Sequence, residues 1–344
     1  MHLLEEDVFA PRSSLILEPQ IDNAVLLVQA NLVADGLVLV FSGNHSAMDM
    51  PGQAQIIRWF SQACRGENFN EEQLNIGNMP RRDLLPLLDA TYQAGDELFH
   101  QTPLVPVPAT TATQAQDAAK KIRWATFSFP SASVAALKAN ATSTRTSEYV
   151  SKDDALSAFL WQSIARARLH RVSPDNLSTA LRAVDVRRTL DIPPEYPGLA
   201  QNTLYHKYSF GELAELPLGV VASALRDRLN STSPSVSYYT RSVITTLSRT
   251  ADKNCLKVLA KVGRPRDVVL SSYAAIPVYD LDFSLGLGVA EAVRLTRLLL
   301  MESLTVTLPA MPSGDIMVTT CLHEGDLAHL KADSQISKYA QYLG

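Results

Sequence analysis

Residues 37–66, LVLVFSGNHSAMDMPGQAQIIRWFSQACRG, decide how this chain is to be read. Leu37 to Phe41 is an unbroken apolar run, the pattern of a strand covered on both faces. Pro51 sits where a first helical turn tolerates a residue without an N–H, and Ile56, Phe60 and Cys64 recur every four residues before Gly66. The spacing therefore predicts strand, loop and helix, with His45 and Asp49 in the loop between them. A strand-to-helix loop holds side chains firmly while leaving them able to meet a ligand. Just upstream, AVLLVQANLV at 24–33 is a second Val- and Leu-rich run, separated from the first by Ala34-Asp35-Gly36. Together they predict a hairpin of two largely buried strands.

The rest of the chain bounds the function classes. At 344 residues it can bury a substantial core, and 46% hydrophobic with 19% charged residues is an ordinary globular balance. A formal charge of −4, with no basic stripe or tail, gives no reason to expect nucleic acid as a partner. Cys64, Cys255 and Cys321 are odd in number and widely spaced, which suits reduced thiols better than a disulfide framework or a zinc site. The first residues, MHLLEEDVFAPRSS, carry no signal-peptide pattern, and no apolar run is long enough to cross a bilayer. A cytoplasmic protein without a membrane partner is the expectation.

Downstream, residues 101–120 are rich in Pro, Thr and Ala and read as a long crossing connection. IRWATFSF (122–129) reads as a strand. SKDDALSAFLWQSIARAR (151–168) reads as a helix with Ser151 as N-cap, Asp154 three residues on, and an apolar stripe of Leu156, Phe159, Leu160 and Ile164. Further strands are expected from Leu177, across the 267–283 segment (before an irregular stretch) and at DIMVTTCLH (315–323), followed by one helix over 326–344. Helices and strands mix without strict alternation, which argues for mixed sheets rather than a doubly wound parallel one. No repeat of solenoid period is present.

His-x-x-x-Asp is a weak motif, and it occurs twice here, at His45–Asp49 and at His329–Asp333. The second lies on the C-terminal helical segment, where it is most simply a polar i, i+4 pair. Only the first follows a strand and precedes a helix. His2, His100, His170, His206 and His323 are scattered, and surface or capping roles suit them.

Five segments in order resemble one family, the BAHD acyltransferases, and most closely its fungal branch of trichothecene 3-O-acetyltransferase-like enzymes. They are FSGNHSAMDMPGQAQIIRWFSQACRG (41–66), SKDDALSAFLWQSIARAR (151–168), AVDVRRTL (183–190), SSYAAIPVYDLDFSLGLGVAEAVR (271–294) and LPAMPSGDIMVTTCLHEGDLAHLKAD (308–333). The likeness covers nearly the whole chain. It implies an α/β fold of two chloramphenicol-acetyltransferase-like halves with mixed sheets. The first half would span 1–85, with 282–303 crossing back to it. A crossover linker would occupy 86–122, and the second half 123–281 and 304–344. Only 44 residues precede His45, fewer than the family usually carries, so the first half is expected to be incomplete.

The resemblance implies transfer of an acyl group, acetyl above all, from coenzyme A to a hydroxyl of a small specialised metabolite. Coenzyme A would be a co-substrate, with no permanently bound cofactor or metal, and the enzyme would act as a monomer. His45 would be the general base, its ordinary pKa of about 6.5 suiting it to take a proton and return it. No GxSxG nucleophile elbow competes for that role. The family turns its Asp, here Asp49, away from the site to pair with the Arg of the Val-Asp-x-Arg strand, here Arg187. Ser271 and Tyr273 would donate to the oxyanion, Tyr273 standing where the family has Trp. Asp282, Phe283 and Gly286 stand in the DFGWG segment, which reads Asp-Phe-Ser-Leu-Gly here, and are expected to be structural. Ser284, in a glycine's place, is expected at an ordinary backbone angle. Two rivals stand beside this reading. A condensation domain would show a second His and a Gly where Asn44 and Met50 stand. A catalytically impaired remnant or binding protein would follow from the short first half.

Overall fold

The computed structural model describes residues 6–11, 24–81, 84–102, 121–230, 235–259, 261–263, 265–296 and 300–344. The core of the expected crossing connection, 103–120, lies outside them. After a short helical turn α1 (Glu6–Phe9), strands β1 (Leu26–Val33) and β2 (Gly36–Gly43) form the expected hairpin, paired from Leu26↔Gly43 to Val33↔Gly36. Helices α2 (Met50–Cys64) and α3 (Glu71–Gly77) follow. The hairpin is not largely buried: β2 is half-buried throughout, and Leu32 is 88% exposed. Among the described residues it forms a two-stranded sheet by itself, so neither outer edge is paired and much of the apolar run meets solvent.

The larger body is a seven-stranded sheet in the order β5-β4-β6-β7-β8-β3-β9. Its strands are β3 (Ile122–Phe129), β4 (Leu177–Asp185), β5 (Gln201–Ser209), β6 (Val268–Ser272), β7 (Leu304–Thr307), β8 (Ile316–His323) and β9 (Gln341–Tyr342). The β4–β6 and β6–β7 pairs are parallel and the others antiparallel, so the sheet is mixed as expected. Strand β5 carries little alternation in sequence, and β7 alternates over only four residues, too few to mark a strand before its pairing is seen.

Helix α4 (Ser131–Ser143) precedes α5 (Lys152–Arg168), the central helix of this half. Ser151 and Asp154 form a reciprocal capping box at the start of α5, as the sequence predicts. Burial runs almost all round the helix rather than along one stripe, because α4, α7, α9 and the sheet each cover a side. The remaining helices are α6 (Phe210–Glu215), α7 (Leu218–Asp227), α8 (Val236–Arg249), α9 (Glu324–Ala332) and α10 (Ser334–Tyr339). The expected single C-terminal helix is broken between the last two. Asp333 turns extended at the break, and its carboxylate caps the Gln335 N–H.

A buried ionic hub fastens α5 to α9. Arg168 and Asp326 are both fully buried, with Arg168 Nε donating to Asp326 Oδ2 at 3.1 Å, Nη1 to the Asp267 carbonyl at 3.0 Å and Nη2 to Ser303 Oγ at 2.7 Å. Arg171 joins through Nε to Asp326 Oδ1 at 2.6 Å and Nη2 to Glu302 at 2.7 Å. Ser303 is held at φ 80°, a left-handed angle that costs a non-glycine residue strain, in the same place. Asp326→Asn should lower unfolding free energy by about 3–5 kcal/mol, read by chemical denaturation, because it leaves Arg168 buried without its charge partner.

His206 corrects the expectation of surface or capping roles: it is 6% exposed, and its Nε2 is buried without a hydrogen-bond partner. It sits on the inward face of β5, a strand the sequence did not reveal. Burial, with the charges of Arg182 and Arg228, pushes its pKa down to about 3. The unfolded chain binds this proton below about pH 6.5 while the folded chain does not, so stability falls as pH drops through that window. Denaturation at pH 7 and pH 5 should show a shallower loss in His206→Leu than in wild type. The opposite roles hold at His323, which caps α9 through its Nδ1 as expected.

Candidate active site

His45 is exposed in the turn at residues 45–47, directly between β2 and α2. The turn is fixed from below. Ala47 N–H and Met48 N–H donate to the Asn44 carbonyl at 2.8 and 3.1 Å, and the side chain of Met48 is 3% exposed. Ala47 in turn accepts Leu199 N–H at 3.1 Å through its carbonyl, so the turn leans on the loop after β4.

Asp49 is where that loop is bolted down. Its Oδ1 accepts the Gly52 N–H at 2.8 Å, capping α2, and Arg187 Nη2 at 2.8 Å. Its Oδ2 accepts Arg187 Nη1 at 3.0 Å and the Ala200 N–H at 2.7 Å. Both residues are 2% exposed. Arg187 uses its remaining protons on the carbonyls of Tyr196 and Gly198 and on Asp185 Oδ1. Burial works against the Arg187 charge, but the hydrogen bonds and charge of Asp49 prevail and raise its pKa above the ordinary value. The pairing expected from the resemblance is therefore present as a forked, fully satisfied contact. With four donors taken, Asp49 has the role of a fastener, not of a carboxylate orienting His45.

The start of α2 approaches the 196–198 loop so closely that a Cβ at Gly52 would lie 2.4 Å from the Pro197 carbonyl oxygen. Only glycine fits there. The buried face of α2 is Gly52, Ile57 and Ser61, offset by one residue from the expected Ile56, Phe60 and Cys64. The offset has a partner: Ser61 Oγ donates to the Asp282 carbonyl at 2.6 Å and Arg65 Nη1 to the same oxygen at 2.9 Å. Phe283 stacks at 6.2 Å on Phe41 and lies 6.1 Å from Phe60. The Asp-Phe segment thus fastens to β2 and α2, and by Leu295 the chain packs against Ile122 and Trp124 again. Gly286 adopts φ 74°, as a tight bend requires. Ser284 departs from expectation at φ 54°; Asp282 Oδ1 accepts its N–H at 2.8 Å and holds it in that left-handed turn.

Ser271 lies on β6, and Tyr273 follows the end of that strand with its N–H on the Thr307 carbonyl at 2.8 Å. The two hydroxyls neighbour each other. Burial raises the Tyr273 pKa, with Ser271 working the other way, so the phenol keeps its proton and can donate. Tyr273 also packs against Val306, Leu308 and Met317. Ser271 also lines a small cavity of about 10 Å³, largely polar, with Ser157, Arg182, Ser272, Thr305 and Thr307. Arg182 is buried there with Nη2 on Asp153 Oδ2 at 2.6 Å and Nη1 2.8 Å from Asp154. Sequence reasoning saw Asp154 only as a helix cap and missed Arg182; nothing in its local spacing marks it.

A family model, the Transferase family, matches residues 9–336. The chain belongs to that family, the BAHD acyltransferases. This member is 42% identical to an O-acetyltransferase of Cryptosporiopsis sp. (strain 8999), with 99% of this chain and 75% of that protein covered. It is 39% identical to the trichothecene 3-O-acetyltransferase of Fusarium sporotrichioides over 100% of this chain and 75% of that one. A crystal structure of the F. sporotrichioides enzyme with coenzyme A and T-2 superposes with a TM-score of 0.90, covering 98% of this chain and 75% of the other. Vinorine synthase, at 17% identity and a TM-score of 0.66, shares the fold. The fungal branch expected from the sequence is the one found.

Removing one partner of the Asp49–Arg187 fork should cost stability first. Asp49→Asn is expected to lower unfolding free energy by about 3–5 kcal/mol, measured by denaturation, with an equal or larger loss in Gly52→Ala. A wild-type denaturation curve for Asp49→Asn would mean that the fork holds nothing.

Proposed function

We propose that this BAHD member transfers an acyl group, acetyl above all, from coenzyme A to a hydroxyl of a small specialised metabolite. The observation that carries the reading is the His45 turn: an exposed imidazole on a loop whose neighbouring carboxylate is fully engaged elsewhere. Its similarity to fungal O-acetyltransferases, and to the relative crystallised with coenzyme A and T-2, supports the choice of donor and of acceptor class.

The chemistry then runs in two steps. His45 accepts the proton of the acceptor hydroxyl as its oxygen attacks the thioester carbonyl. The carbonyl oxygen gains charge, and the Ser271 and Tyr273 hydroxyls are the donors assigned to it. The tetrahedral species collapses with loss of the coenzyme A thiolate, which takes back the proton from the imidazolium. No acyl group passes through the protein. Asp49, Arg187, Asp282 and Phe283 hold the parts in place, a role their contacts support, and Gly286 supplies the bend after them.

The same reading divides the chain as 1–85 with 282–303 for one half, 86–122 for the crossover, and 123–281 with 304–344 for the other. The fastening of Asp282 and Phe283 to α2 and β2 supports the crossing back. Arg241 and Arg249, which donate to the carbonyls of Pro86, Leu87, Asp89 and Tyr92, lay the described part of the crossover along α8. Among the described residues no helix is long and apolar enough to cross a membrane. A cytoplasmic monomer is the assembly proposed, and the three free cysteines suit that setting.

His45→Ala should lower the rate of acetyl transfer from acetyl-coenzyme A to a trichothecene 3-hydroxyl by about 10²–10⁴-fold, with coenzyme A affinity unchanged. Product formation followed by mass spectrometry, beside a binding titration, makes the check. Equal rates in variant and wild type would sink the assignment.

A further inference from the structure

Away from the His45 turn, three separate segments bring cations and aromatic rings together. Strand β5 presents Tyr205 and Lys207 on one face, two residues apart, with His206 pointing the other way into the core. The 3₁₀ turn at Asp96–Leu98 is followed by Phe99 and His100. The His100 ring stacks on Tyr205 at 4.4 Å between centroids, nearly parallel, and meets Phe99 edge-on at 5.2 Å. The third segment is pinned at two points: Lys257 N–H donates to the Gln101 carbonyl at 2.7 Å, and Tyr205 O–H to the Val258 carbonyl at 2.9 Å. That anchorage delivers Lys261, whose ammonium lies 3.1 Å from the Phe99 ring centroid, while Lys207 Nζ lies 5.6 Å from the same centroid.

Two ammonium groups are thus gathered around one half-exposed phenyl ring. Among the described residues neither is paired with a carboxylate, and the ring face is the partner each has. The surrounding field is of one sign. Every charge that registers at His100 is positive, from Lys207, Lys261 and Arg228, and with burial these hold its pKa down at about 4. His100 is therefore a neutral ring with one N–H to donate. Like charges held together repel, and an arrangement of this kind is relieved by an anion that accepts from both. Lysine pairs with phosphate as a compact point charge, and a dianion matches two of them.

We propose that Lys207 and Lys261, with the His100 imidazole as an additional donor, form a binding site for a phosphate monoester dianion. The site is distinct from the Asp49–Arg187 junction. Lys207 pairs with Thr179 on β4, six residues along the strand from the Asp185↔Gln201 pair, which places it roughly 20 Å from that end. The phosphate could belong to a separate phosphorylated metabolite or to the 3′-phosphate of the coenzyme A donor; the chemistry recognised is the same. Phosphate binding at the site does not depend on the transferase reading, so either can fail alone.

Isothermal titration with inorganic phosphate at fixed ionic strength, near pH 7.5, tests it. Wild type and Lys121→Gln, a control elsewhere on the surface, should show one saturable site. Lys207→Gln and Lys261→Gln, which keep the aliphatic stems, should each weaken it about tenfold, and the double variant should lose it. Absence of saturable binding in wild type, or wild-type binding in the double variant, overturns the proposal. Transfer assays with coenzyme A and dephospho-coenzyme A thioesters then identify the source. If the double variant raises KM for the phosphorylated donor alone, the donor's 3′-phosphate is the ligand. If neither KM moves while phosphate binding is lost, the ligand is a separate metabolite.

Discussion

Everything near the His45 turn depends on one carboxylate. A buried ion pair usually gains little against its desolvation cost, and it persists where every remaining proton and lone pair is satisfied. Asp49 and Arg187 meet that condition: two oxygens accept four donors, and the guanidinium reaches three further acceptors. The contact joins positions 138 residues apart in the chain. It caps α2, anchors the 196–200 loop and fixes the end of β4 together. The aspartate of the motif is spent on Arg187 and on two backbone N–H groups, and among the described residues no hydrogen bond ties the His45 imidazole into the network that holds its loop.

The second half supplies a densely buried counterpart. Its sheet carries Ser271 on β6, one strand from β4 and its Arg187 terminus. Behind it, α5 is enclosed on nearly all sides, and the Arg168–Asp326 hub ties that helix to α9 and to the strained Ser303 before β7. Rigid elements of this kind hold side chains to the tolerance that acyl transfer needs. The Asp282–Phe283 segment closes the arrangement by accepting from Ser61 and Arg65 of the α2 end through the Asp282 carbonyl.

Much of this was legible in the residues. The hairpin, the start of α2, the Ser151 cap with Asp154, and strands β3, β4, β6 and β8 follow from local pattern, because caps, proline positions and β-branched runs act over a few residues. The branch of the family was legible too, because five segments in order constrain far more than one motif. By contrast, β5 and β7 carry weak local signals, and the C-terminal helix break is made by one capping aspartate.

What the sequence determined by itself was the chemistry on offer: a histidine at a strand end, an aspartate four residues on and, through the family resemblance, an arginine to pair with it. Only tertiary structure decided where those groups point. Register placed His206 inward and Lys207 outward, offset the buried face of α2 by one residue to reach Asp282, and forced Ser284 into a left-handed turn. The reason is that local pattern is set by neighbours along the chain. Burial, charge fields and close approach are set by residues brought together from a hundred or more positions away.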